Sequence, residues 1–366
     1  MHSTSEQIAS TAETLVECRG SLGRIRLNRP KALNSLTLNM VRDIDSALEA
    51  FAHDPAINAV LVTGEGERGF CAGGDIRAIH EGGRAGSPLP KAFWREEYQL
   101  NARINRYPKP YIVFMDGIVM GGGVGLSVYG SHRIVTERTR LAMPETGIGF
   151  FPDVGASWFL TRGDNELGTY LALTGDPIGA ADTIELGLAD TCVASDRLSS
   201  LIDALAALPP GSNRKQISET VQTFAKSPPD ATLAPHQPVI DRIFAARTIG
   251  EIVAGLQREA SPFADTAASA LASKSPLSLH VTLKLLRLGR QSATLEECLE
   301  REFAATAAVL NSHDFYEGVR AAVIDKDRNP QWRPASPTAV TEADVAAYFS
   351  PSSQPLFVFD QEGSAG

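Results

Sequence analysis

Two short runs that are apolar almost without interruption fix the class of fold open to this chain. Residues 57–63 read Ile-Asn-Ala-Val-Leu-Val-Thr, and residues 111–115 read Tyr-Ile-Val-Phe-Met. A strand with one face in water alternates apolar and polar residues, whereas a strand covered on both faces does not need to. Both runs therefore predict strands buried between layers, with residues 133–136 (Arg-Ile-Val-Thr) a weaker third. Met40, Ile44, Leu48 and Phe51 fall at i, i+4, i+8 and i+11, one stripe of a helix starting near Thr37. Residues 15–16 and 23–27 predict a short antiparallel pair ahead of it. Strands separated by helices give an α/β core.

The rest of the chain reads differently. Pro209, Pro210, Pro228, Pro229, Pro235 and Pro238 mark a segment of linkers and short helices rather than strands. Beyond it, Ser275-Pro276 opens a helix that Gly289 is placed to end, and Thr294 with Glu297 has capping-box spacing. Asp314 is a candidate cap for one more helix, through Val323. The expected division is a flexible N-terminus (1–14), an α/β core with the functional site (15–200), a helical region (201–350) and a flexible tail (351–366).

Composition limits the function. The chain has 366 residues, long enough for about two domains, and a net charge of −9, which argues against nucleic acid or membrane as partner. An anionic small molecule needs only a local basic patch and stays open. No apolar run reaches the length of a membrane span. Cys18, Cys71, Cys192 and Cys298 form no CxxC pair, so free thiols are expected and no metal site. The first residues, with Glu6 and Glu13, resemble neither a signal nor a transit peptide, giving the expectation of a bacterial-type cytoplasmic protein.

Four segments are candidates for chemistry. Residues 64–69 spell a formal G-x-G-x-x-G after a strand, but Gly73 and Gly74 break the helix a dinucleotide site would need. Residues 70–76 (Phe-Cys-Ala-Gly-Gly-Asp-Ile) let backbone approach a ligand, with Asp75 able to cap a following helix and leave the Gly74 N–H free; an ordinary tight turn would read the same. Residues 117–125 (Gly-Ile-Val-Met-Gly-Gly-Gly-Val-Gly) precede a helix expected around Leu126. Glycines there fit an anion or a developing oxyanion, or simply close packing. Residues 143–153 (Met-Pro-Glu-Thr-Gly-Ile-Gly-Phe-Phe-Pro-Asp) set Glu145 and Asp153 among apolar residues, where a carboxyl keeps its proton longer and can act as a base near neutrality. No G-x-S-x-G elbow is present. His132, His280 and His313 have no partner spacing and read as structural.

Taken together, FCAGGDIR, EEYQLN, KPY, GIVMGGGVGLS, AMPETGIGFFPDVGASWFL and LTGD resemble the crotonase (enoyl-CoA hydratase/isomerase) superfamily. The likeness covers residues 23–192 and again 275–334. It is strongest to that family's acyl-CoA thioester hydrolases. The resemblance implies a spiral of ββα units with a helical C-terminal region. It also implies a short 3-hydroxyacyl-CoA substrate, above all 3-hydroxyisobutyryl-CoA of valine breakdown, with no cofactor beyond the CoA of the substrate. The family's oxyanion hole maps onto the N–H groups of Gly74 and Gly122, its chemistry onto Glu145 and Asp153, and a substrate contact onto Glu97. The CoA arm would lie along Lys31, Ala32, Leu33, Ala72, Gly74, Asp75 and Ile76, with Lys31 and Arg29 as candidate phosphate cations. Hydratases of this fold carry a first catalytic glutamate three residues after the oxyanion-hole glycine; here that position is Gly125. A homo-oligomer stays open.

Overall fold

The computed structural model describes residues 12–357. Ten strands form two sheets: β1 (Thr14–Arg19), β2 (Leu22–Leu27), β3 (Ala59–Gly64), β4 (Gly69–Cys71), β5 (Tyr111–Met115), β6 (Ile118–Met120), β7 (His132–Val135), β8 (Arg140–Ala142), β9 (Thr191–Val193) and β10 (Ala225–Lys226). The large sheet has the order β1-β2-β3-β5-β7-β9-β10, and the small one β4-β6-β8. Among the described strand pairs, β1–β2 and β9–β10 are antiparallel and the rest parallel. Three times in succession a strand of the large sheet leads directly into one of the small sheet: β3 into β4, β5 into β6, β7 into β8. This is the expected spiral, each turn adding one strand to each sheet.

The non-alternating runs have a direct cause. Leu61, Ile112, Phe114 and Ile134 point to one face of the large sheet, where Leu201, Leu205, Ile217 and Val221 cover them. Val60, Val62, Val113 and Val135 point to the other, into the main hydrophobic core. Each of these apolar side chains contributes about 1.5–3 kcal/mol on burial. The covering helices Leu198–Ala206 and Arg214–Gln222 straddle or follow residue 200 yet pack on the sheet, so that boundary cuts through an element of the α/β core.

Several local expectations meet different outcomes. The helix expected from near Thr37 spans Leu38–His53, and Thr37 caps it, accepting from Met40 N. The glycine helix starts at Gly122, not near Leu126, because its glycines are buried among neighbours that leave no room for side chains. Gly289 is the last helical residue rather than a left-handed cap. A Cβ there would lie 1.9 Å from the Ser157 carbonyl oxygen, so close packing explains it. Thr294 accepts from Glu297 N, but Glu297 reaches back to Ala293 N, one residue before the cap. Ser312, not Asp314, caps the next helix, His313–Val319. Asp314 instead accepts from Ser275 Oγ at 2.6 Å and Arg333 N at 2.7 Å. The proline-rich segment contributes the two-residue edge strand β10. Residues 351–357, expected as the start of a loose tail, are tied down. Glu300 accepts from Leu356 N and Phe357 N, and Arg95 donates to the Gln354 and Pro355 carbonyls. Residues 358–366 and 1–11 lie outside the described residues.

Candidate active site

Neighbouring parallel strands end at the same edge of a sheet, so the loops that follow them converge. In the small sheet β4 is followed by Gly73-Gly74, β6 by Gly121-Gly122, and β8 by Pro144-Glu145. The three motifs that stand far apart in sequence thus meet at one edge. They enclose a cavity of about 160 Å³ that Glu97, Asp153, Ile79, Phe93, Trp94 and Phe150 help to line.

The glycine loops supply donors. A Cβ built on Gly122 would lie 3.5 Å from the Gly74 nitrogen, and one on Gly73 would lie 3.5 Å from the Gly122 nitrogen, so the two loops run close against each other. Among the described residues neither the Gly74 nor the Gly122 N–H donates to any backbone or side-chain acceptor. Gly74 is released because its neighbours satisfy the turn: Leu36 N donates to Gly73 O and Asp75 N to Leu36 O, both at 2.8 Å. Asp75 then caps the helix Ile76–Arg84 as expected. Gly122 opens its own helix, where an N–H has no intrahelical partner. A Cβ there would sit 2.3 Å from Glu97 Oε1, so any larger residue would displace the Glu97 carboxyl.

The carboxylates come from three directions. Glu97 stands on the buried stripe of the helix Leu89–Asn105, with Phe93, Tyr98, Asn101 and Ile104. Glu145 opens a short 3-10 turn, and Asp153 follows the Phe150-Phe151 pair, whose rings stack at 4.5 Å. Glu97, Glu145 and Asp153 are only 2, 7 and 5 % exposed. Tyr98 OH donates to Asp153 Oδ2 at 2.7 Å. Glu97 Oε1 and Glu145 Oε2 have no hydrogen-bond partner among the described residues, and none of the three carboxyls pairs with a lysine or arginine there. Burial therefore pushes all three toward the neutral form. Glu97 and Glu145 rise well above the usual carboxylate range, the charge on Asp153 adding to both. Asp153 itself is pushed up to about 7 by desolvation, with the Tyr98 hydrogen bond pulling the other way. Such a cluster holds protons near neutrality and can give or take one beside a reacting carbonyl.

Position 125 is closed. A Cβ on Gly125 would lie 2.8 Å from Val154 Cβ and 2.9 Å from Asn101 Nδ2, leaving no space for a glutamate. Among the described residues no group of three His, Cys, Asp or Glu side chains is arranged to hold a metal ion.

Of the residues singled out in the sequence, Gly74, Gly122, Glu97, Glu145, Asp153, Ala72 and Ile76 come together at the cavity. Lys31, Ala32, Leu33 and Asp75 do not line it. The first three form an outlying turn, joined to the cavity wall where Ala72 N donates to Leu33 O at 3.0 Å. Arg29 is already committed, donating to Ser35 O and pairing with Asp75 at 2.8 Å, which leaves Lys31 as the exposed cation of that turn. Tyr98 and Trp94 are among the contributors that the sequence did not disclose. Tyr98 had only its place beside Glu97 to betray it. Trp94, stacked on Phe150 at 5.4 Å, had only its i−3 spacing from Glu97.

This geometry fits what comparison with known proteins finds. A family profile described as "Enoyl-CoA hydratase/isomerase" matches residues 22–349, nearly the whole chain. The chain belongs to the enoyl-CoA hydratase/isomerase family. Within the family it is 45 % identical, over 93 % of its length and 90 % of the relative's, to the "3-hydroxyisobutyryl-CoA hydrolase, mitochondrial" of Danio rerio. It is 43 % identical to the protein of the same name from Homo sapiens, over 94 % and 90 % of the two chains. Among solved structures it resembles a carnitinyl-CoA dehydratase from Mycobacterium thermoresistibile, with TM-score 0.90, 43 % identity and coverage of 96 % of this chain and all of that one. The mitochondrial names of the curated relatives overturn the expectation of a bacterial-type cytoplasmic protein. That expectation rested on the first residues, of which 1–11 lie outside the described ones.

Proposed function

We propose that the protein hydrolyses a short 3-hydroxyacyl-CoA thioester, most of all 3-hydroxyisobutyryl-CoA, to the hydroxy acid and free CoA. The observation that carries this reading is the meeting of Glu145 with two unpaired N–H groups at a site whose position 125 has no room for a second acid. Adding water across a C=C double bond asks for an acid and a base on two different carbons. Cleaving a thioester asks for one carboxylate at the carbonyl carbon and donors at the carbonyl oxygen. The closed position weighs against the dehydratase activity for which the structural relative is named.

The carbonyl oxygen accepts from the N–H groups of Gly74 and Gly122, each such donor contributing roughly a hundred- to a thousandfold in rate. Glu145 acts on the carbonyl carbon. Either it attacks and forms a mixed anhydride as CoA thiolate leaves, or it takes the proton of a water that attacks. Asp153, with its proton held near neutrality, orders Glu145, the water and the leaving group. Glu97 faces the acyl group and accepts from its 3-hydroxyl; an acceptor buried without a partner favours a substrate that brings a donor. The size of the cavity supports a short acyl group, since about 150 Å³ holds a molecule the size of benzene. The CoA arm leaves over Ala72 and Ile76 toward the turn at Lys31, Ala32 and Leu33, past Asp75. In valine breakdown this reaction would release free 3-hydroxyisobutyrate.

The test is thiol release from 3-hydroxyisobutyryl-CoA beside absorbance loss from crotonyl-CoA. Rapid release with the crotonyl double bond untouched is expected. Hydration of crotonyl-CoA without thiol release would overturn the reading in favour of a hydratase.

A further inference from the structure

The segment that carries Asp153 is held in a conformation it would not adopt by itself. Val154, a β-branched residue, lies at φ +52°, in the left-handed region that such side chains avoid. Gly155 follows at φ +83°, and then a helix of only four residues, Ala156–Phe159. One turn of helix has too few internal hydrogen bonds to hold its own start. The restraint comes from elsewhere. Tyr129 OH donates to the Val154 carbonyl at 2.7 Å. Glu302, on the distant helix Leu295–Val309, accepts from three donors at once. Its Oε2 takes the Gly155 N–H at 2.7 Å, and its Oε1 takes the Ser157 N–H at 3.0 Å and the Ser157 hydroxyl at 2.5 Å.

Glu302 is wholly buried and pairs with no lysine or arginine among the described residues. A buried carboxylate without a cation is costly, and an apolar residue would fill the same place in a helix more cheaply. Its three donors all lie within four residues of Asp153, and the Asp153 carbonyl is itself tied to Ala156 N at 2.9 Å. The segment is therefore fixed on both sides of Val154, while Tyr98, on the helix Leu89–Asn105, holds the Asp153 side chain. Strain of this kind persists only where surrounding contacts over-determine it, and it gathers at active sites.

We infer that Glu302 is a positioning residue of the reaction: through the backbone of residues 154–157 it sets where the Asp153 carboxyl stands relative to Glu145. The helical C-terminal region is then a working part of the active site, although Glu302 does not line the cavity. This inference rests on the thioester-hydrolase reading. A merely structural Glu302 would change stability and leave turnover per folded molecule alone, so kcat and KM must be read separately.

The experiment compares wild type, Glu302→Gln and Tyr129→Phe in thiol release from 3-hydroxyisobutyryl-CoA, with binding of free CoA measured by calorimetry. Glutamine places an N–H₂ donor against one of the N–H groups that Glu302 now accepts from. We expect kcat to fall about tenfold or more in Glu302→Gln, with KM and CoA affinity within about threefold of wild type. Tyr129→Phe, which loses one hydrogen bond and no charge, should lower kcat about threefold with KM unchanged. If Glu302→Gln does not fold, Tyr129→Phe decides alone. Unchanged kcat in the folded variants overturns the positioning role while leaving the hydrolase reading intact. A wild-type protein that releases no thiol overturns both.

Discussion

Replacing Asp153 by asparagine separates the charge of this group from its shape, and the consequence for stability can be worked out. The Asp153 carboxyl titrates at about 7 in the folded protein against an ordinary 3.8, because burial penalises its charged form. Between those two values the folded chain keeps a proton that the unfolded chain has lost. The stability this contributes is complete below pH 3.8 and is lost as pH rises through 7. The loss amounts to about 4 kcal/mol in all, and about 3 kcal/mol of it falls between pH 5 and pH 8. Asparagine has the same outline, can still accept from Tyr98 OH, and carries no such proton. The stability of Asp153→Asn relative to wild type should therefore climb as pH rises, reaching several degrees in melting temperature by pH 8. His80, His132 and His280, whose pKa values burial lowers, titrate alike in both proteins and cancel in the difference. Denaturant melts of the two proteins at pH 5 and pH 8 measure it. A gap that stays level or narrows would refute the argument that Asp153 is an uncompensated buried acid.

Other consequences follow from the same geometry. Gly122→Ala forces a methyl group onto Glu97 and beside the Gly74 nitrogen, so kcat should fall by about a hundred- to a thousandfold with CoA affinity kept. Gly125→Ala presses on Val154 Cβ and should cost about 1–3 kcal/mol in a denaturant melt. Glu97→Gln should erode the preference for 3-hydroxyisobutyryl-CoA over isobutyryl-CoA by about tenfold or more in kcat/KM. Single-turnover reaction in ¹⁸O-labelled water, followed by mass analysis of the Glu145 peptide, tells the two routes apart: label in Glu145 supports the anhydride.

What the sequence disclosed depended on how local the cause was. The strand at 111–115 was legible to the residue because it is covered on both faces and interrupted by nothing. The hairpin partner expected at 23–27, found at Leu22–Leu27, and the helix behind Thr37 were readable from alternation and from an apolar stripe. Asp75 as a cap and Gly74 as a free donor followed from one turn of chain. The early start of the helix at Gly122 was not legible, since glycines signal breaks unless the neighbours that crowd them are known. The helices at 198–222 looked like part of a separate region because only the fold lays them on the sheet. Convergence of the three loops was likewise invisible, as it follows from parallel pairing in the small sheet. Glu302 left one trace. It interrupts the buried stripe of Leu295, Leu299, Thr306 and Val309, where an acid has no place unless something donates to it.

The central claim is that Glu145 performs the chemistry at the thioester carbonyl, and Glu145→Gln tests it most directly. The variant keeps the size of the side chain and removes its ability to attack or to take a proton. Steady-state thiol release from 3-hydroxyisobutyryl-CoA, measured beside calorimetric CoA binding, should show kcat lowered about a thousandfold or more with CoA affinity within about threefold. Turnover within tenfold of wild type, in a variant that binds CoA normally, would contradict it.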